Sequence, residues 1–105
     1  MSHFAIFVTV KLKPGNAEAF KPLILENAAA AVRDEPECHE FHVIQAEDDA
    51  DTFHFFEVYT SAGSLDHHRE TPHYKKYDVG SADMIAEKSI QRLSVLNHGN
   101  VEGLV

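Results

Sequence analysis

Two stretches of this chain are apolar on both sides of an extended backbone. In His3–Leu12 (HFAIFVTVKL), Phe4, Ile6, Val8, Val10 and Leu12 share one parity, while Ala5, Phe7 and Thr9 share the other. In Asp51–Tyr59, Phe53 and Phe55 fall on one parity and Phe56 and Val58 on the other. A sheet with one wet face alternates cleanly, so strands like these need cover on both faces. The chain has 105 residues, enough for a single domain over residues 1–105 with a thin core. Cover for the second face is therefore expected from a second copy, because symmetric pairs are the commonest assembly.

The remaining segments set the order of elements. Pro14-Gly15-Asn16 ends the first strand, and Asn16 is placed to cap a helix. From Ala17 to about Asp34, Phe20, Leu23, Ile24, Asn27, Ala28, Ala31 and Val32 recur at helical spacing, until Pro36 prevents continuation. Strands are predicted over Cys38–Ala46 and Asp51–Tyr59, flanking the acidic turn Glu47-Asp48-Asp49-Ala50, so a hairpin is expected. Ser61 to about Glu70 reads as a short helix. Thr71-Pro72 then restarts the chain as N-cap and first helical residue, with a second helical piece to about Glu87. Tyr74, Tyr77, Met84 and Ile85 are its candidate buried positions, and a last strand covers Ser89–Leu96. The order β-α-β-β-α-β is that of an α+β, ferredoxin-like split β-α-β fold with an antiparallel sheet.

Seventeen acidic and nine basic side chains give a net charge of −8, which repels phosphate backbones and anionic lipid. Neither nucleic acid nor a membrane is an expected partner. The single cysteine, Cys38, rules out an internal disulfide and fits a reducing compartment. No leader-like stretch and no apolar run of about 20 residues is seen, so a cytoplasmic location is expected. Cys38 reads as a packing residue.

Chemistry concentrates in two places. His68-Arg69-Glu70-Thr71-Pro72-His73-Tyr74 puts two of the eight histidines on either side of a proline, at a junction between helices. An imidazole there suits general-base work, and equally a helix cap or the surface. Glu57 lies within Phe55-Phe56-Glu57-Val58-Tyr59, where a carboxylate is costly unless paired. It reads either as a catalytic group or as half of a structural ion pair. If the hairpin pairs symmetrically about its turn, Glu57 neighbours His42, whereas a slip of one residue would put them on opposite faces. No metal is expected: His39 and His42, three apart on a strand, face opposite sides, and His68 and His73 do not share one helical face. Phosphate-loop and nucleophile-elbow motifs are missing from the sequence. Lys75, Lys76 and Arg69 read as a solvated helix face.

Three runs carry a resemblance. Val32–Cys38, Phe41-His42-Val43-Ile44-Gln45 and Phe55–Tyr59, ending in His68-Arg69-Glu70-Thr71-Pro72-His73-Tyr74-Lys75, resemble in order and spacing the antibiotic biosynthesis monooxygenase family. The nearest subgroups are small quinol-monooxygenase-like proteins and the isomerase of phosphorylated autoinducer-2. Glu37 departs from the pattern, standing where the family often has glycine. The chain also has no tryptophan, which the haem-degrading relatives use. The resemblance implies a dimeric α+β barrel, a homodimer, with a pocket between sheet and helices in each subunit. It further implies cofactor-free oxygenation of a quinol-like small molecule by O2. Carried onto this chain, the pocket residues are Glu57, His68 and His73, with Tyr59 and Tyr74 nearby, His42 across the hairpin, and phenylalanines such as Phe55 as walls. His68 is then the expected base, Glu57 its orienter or a second proton acceptor, and His73 a hydrogen-bond donor to the developing oxyanion. An isomerase of a small hydroxy-ketone and a non-catalytic ligand-binding dimer remain as alternatives.

Overall fold

The computed structural model describes residues 3–97. Residues 1–2 and 98–105 lie outside them. The first strand, β1 (His3–Leu12), and the first helix, α1 (Ala17–Asp34), have the predicted limits. Asn16 holds the N-cap position without capping through its side chain; its Nδ2 donates instead to the Lys13 carbonyl at 3.0 Å, within the turn it follows. The hairpin strands are β2 (Cys38–Gln45) and β3 (Thr52–Tyr59), followed by α2 (Ala62–His68) and α3 (Pro72–Ser81). Asp49 closes the hairpin turn, its carboxylate accepting from the Asp51 amide and the Thr52 hydroxyl.

The end of the chain departs from expectation. The helix predicted to reach about Glu87 stops at Ser81, a 3₁₀ turn spans Ala82–Met84, and the last strand β4 begins at Ile85 and runs to Val95. The reason lies in β1, which is ten residues long and offers its whole length as a partner. Lys11 pairs with Glu87 and Leu12 with Ile85 across a bulge, and the Lys13 amide donates to Met84 at 2.8 Å. From Ile85 on, ladder pairing outweighs the helical preference expected to reach Glu87. Met84 and Ile85 still pack, half-buried, against the core.

All pairings are antiparallel and the strand order is β2-β3-β1-β4. Both the long helix and the α2–α3 pair cover one face. Their Phe20, Ile24, Leu65 and Tyr77 meet Ile6, Val8, Phe53 and Phe55 from the sheet in one core. Phe20 is fully buried, with ring centroids 5.1 Å from Phe53 and 5.9 Å from Tyr77. The opposite face carries Phe7, Thr9, His42, His54 and Phe56, of which only His42 is fully exposed. There His54 accepts or donates one hydrogen bond at 3.0 Å with Thr9 and stacks on Phe7. Among the described residues no helix is long and apolar enough to cross a membrane.

Candidate functional site

The α2–α3 junction explains how two histidines separated by a proline meet. Ser61 caps α2 reciprocally with Ser64. Thr71 caps α3, accepting from the Tyr74 amide, while its hydroxyl donates to the His68 carbonyl at 2.6 Å. This lashing turns the end of α2 and the first turn of α3 toward the same point, the residue just past the end of α1. That residue is Glu35. His68 Nδ1 and His73 Nε2 each lie 2.6 Å from the same oxygen, Glu35 Oε2. Glu35 is 5% exposed and His68 is 1% exposed. Bonds this short to a carboxylate are the charge-assisted kind.

His68 and His73 thus converge from the two sides of the helix junction. Their spacing excludes one helical face, but a turn between helices achieves what a single helix cannot. With Glu35 they make a group of three potential metal-ligating side chains. Both nitrogens share one oxygen at hydrogen-bond distance, so the arrangement described is a doubly clamped carboxylate.

His68 reaches through to a cleft between the sheet and the helices, walled by Ile6, Phe41, Phe55 and Leu65. The side chains with polar groups lining it are Asn27, Glu57, His68, Arg69, Tyr74, Tyr77 and Lys88. It encloses about 360 Å³ of empty space, part of it open to solvent. Burial pushes the His68 pKa below the usual imidazole range, against the pull of Glu35, so the ring is neutral near pH 7. Fixing Nδ1 on Glu35 leaves Nε2 as the atom that can take a proton from a molecule in the cleft.

Glu57 also faces this cleft, 5% exposed, and burial lifts its pKa to about 7. The Tyr59 hydroxyl donates to Glu57 Oε1 at 2.6 Å. Burial, with Glu57 beside it, pushes the Tyr59 pKa well up, so the phenol keeps its proton and goes on donating. Cys38, buried at 5% exposure, has its thiol pushed up to about 12 by the same loss of solvent, in keeping with packing.

Several expected positions differ. The hairpin register is one residue off the symmetric pairing: Glu57 opposes Phe41, and His42 opposes Phe56. His42 is therefore on the other face of the sheet, exposed and bonded to Glu40 at 2.9 Å, and it does not line the cleft. Tyr59 stands behind Glu57, outside the lining. His73 is spent on Glu35 and borders an outer groove, away from any oxyanion in the cleft. Phe55 and Tyr74 line the cleft as expected. Arg69, read as part of a solvated helix face, is half-buried at the cleft, whereas Lys75 and Lys76 pair outward with Glu70 and Glu26. Sequence reasoning missed Glu35, for which no local pattern speaks. It passed over Asn27, although a lone amide in the stripe Phe20, Ile24, Asn27, Ala31 was a signal.

The sequence profile of the antibiotic biosynthesis monooxygenases matches residues 3–78, which span Glu35, Glu57, His68 and His73. The chain belongs to this family. It is 31% identical over 78 residues to the uncharacterized protein sll1783 of Synechocystis, covering 74% of this chain and 52% of that protein. The chain thus spans about half the length of that relative. A Nitrosomonas europaea structure bearing the family's name superposes with a TM-score of 0.84 at 29% identity, covering 89% of this chain and 98% of the other. A Bacteroides thetaiotaomicron structure of the same name has a TM-score of 0.87 at 20% identity, with 93% of each chain covered, and shares the fold. The ferredoxin-like α+β fold expected from the sequence is the fold of the family.

Proposed function

We propose that this family member oxidises a quinol-like aromatic with O2 without a bound cofactor, His68 acting as general base. The observation that carries the reading is a neutral imidazole, clamped at Nδ1 by buried Glu35, whose ring opens on a cleft walled in part by Phe41 and Phe55. The substrate hydroxyl gives its proton to His68 Nε2, and the resulting phenolate is electron-rich enough to reduce O2 directly. A bond forms between the ring carbon and oxygen. The peroxide takes the proton back from His68; the hydrogen on the oxygenated ring carbon then leaves as a proton, its bonding pair forms the new carbonyl as the O–O bond breaks, and the departing hydroxide takes up that proton, so quinol and O2 become hydroxyquinone and water. The protein supplies a base, a water-poor site and fixed charges. The family name borne by the Nitrosomonas europaea relative supports oxygenase chemistry as a class.

The test is oxygen uptake by the purified, metal-stripped protein with a panel of reduced quinols, alongside His68→Ala. Uptake above the spontaneous rate is expected, falling by about 10²-fold or more in the variant. Uptake unchanged by His68→Ala would overturn the assignment of the base. A second reading, isomerisation of a small hydroxy-ketone, draws on Arg69 and Lys88 at the cleft, which suit a phosphorylated ligand. It predicts proton exchange on such a ketone with no oxygen consumed.

We also propose a homodimer in which a second copy covers the face bearing Phe7, His54 and Phe56. Half-burial of aromatic rings on an otherwise uncovered sheet supports it. With a protomer of 11.8 kDa, light scattering at micromolar concentration should give about twice that mass, and a monomer would overturn it.

A further inference from the structure

The cleft contains groups that the proposed chemistry does not use. Asn27, on the cleft-facing side of α1, is 2% exposed, and its Oδ1 has no hydrogen-bond partner. Buried polar atoms are almost always paired, so an orphan amide lining a cleft marks a place where a ligand supplies the partner. On the other side stand two cations. Arg69 is half-buried, Lys88 lies on the edge strand β4, and both line the cleft, where each attracts the Glu57 carboxylate without a direct ion pair among the described residues. In a chain of net charge −8, which repels anions at long range, two cations against the one carboxylate that lines the cleft, Glu57, form a local exception.

We propose that the cleft takes a hydroxyaromatic acid, its carboxylate held by Arg69 and Lys88 and a ring hydroxyl donating to Asn27. The inference rests on the oxygenase reading for the aromatic ring and goes beyond it in naming the charge. Arg69 is suited to a planar carboxylate because its donors form a rigid fork. Lys88 adds charge at the entrance.

The probes are 2,5-dihydroxybenzoate and its uncharged analogue 2,5-dihydroxybenzamide, titrated calorimetrically without oxygen so that no turnover is needed. The wild type should bind the acid about tenfold or more tightly than the amide. Arg69→Gln should erase that preference and leave amide binding within about twofold, and Lys88→Gln should reduce it in part and in a salt-dependent way. Asn27→Leu should weaken both probes while raising the melting temperature, because it removes an unpaired buried amide. A merely structural asparagine would move the melting temperature down instead. Equal binding of acid and amide, no binding of either, or a lower melting temperature with unchanged affinity would each overturn the proposal. A protein that binds the acid yet consumes no oxygen keeps the inference and removes the oxygenase reading. One that oxidises quinols but ignores the carboxylate does the reverse.

Discussion

Glu35→Gln should fold and yet lose about 10²- to 10⁴-fold in turnover, the range expected when a general base loses the group that sets its tautomer and orientation. The amide can still hydrogen-bond one of the two imidazoles at the site of the 2.6 Å contacts, so circular dichroism should be unchanged. It cannot supply the negative charge that favours a protonated His68. The Glu35 carboxylate acts to raise the His68 pKa against burial. Its removal lets that pKa fall further. The base must be unprotonated to act, so the acid limb of kcat/KM against pH moves to lower pH in the variant. A structural role alone would leave that limb where it is. Oxygen-uptake profiles of wild type and variant decide the matter: an unchanged rate and an unmoved limb would take Glu35 out of the mechanism.

The second large effect concerns stability. Burial raises Glu57 from an ordinary 4.5 to about 7. A carboxyl raised in the folded state favours folding in acid. Its contribution is fully present below pH 4.5, the unfolded value, and is lost as pH rises through about 7. The span is worth about 3 kcal/mol at 1.36 kcal/mol per unit. Glu57→Gln keeps an acceptor for the Tyr59 hydroxyl and cannot ionise. At pH 8 it should be more stable than the wild type by a few kcal/mol, and at pH 4.5 nearly equal to it. His68, pushed down by burial, works in the opposite sense, stabilising the fold less in acid. It does so in both proteins, so comparing them at each pH cancels it. Urea midpoints at the two pH values make the measurement; a gap independent of pH would mean that Glu57 does not titrate as described.

Much of this was legible in the residues. The doubled apolar parity of β1 and β3, the cap Thr71, and the breaks at Pro14-Gly15 and Pro36 are local signals, and the elements they delimit are where they point. Residues 82–88 were not legible, because whether that stretch coils or extends depends on the free edge of β1, a partner distant in sequence. The hairpin register hinged on one residue, and that residue decided which face His42 took. In the site, Glu57 and His68 announced themselves, one as a charge among phenylalanines and the other beside a helix restart. Glu35 did not. Its role comes from the way Thr71 ties down the His68 carbonyl, a relation between two helix ends that no spacing rule contains.

The clamp on His68 joins residues 33 apart in sequence, and that on His73 joins residues 38 apart. Between them run the whole hairpin and a further helix. Closing loops of this length carries an entropic cost that only the finished core offsets. A chain still emerging, or one clipped anywhere in that interval, has histidines but no oriented base. Under the proposed chemistry, reactivity toward oxygen would be withheld from every incomplete form of the molecule, and activity would itself be a measure of folding carried to the end.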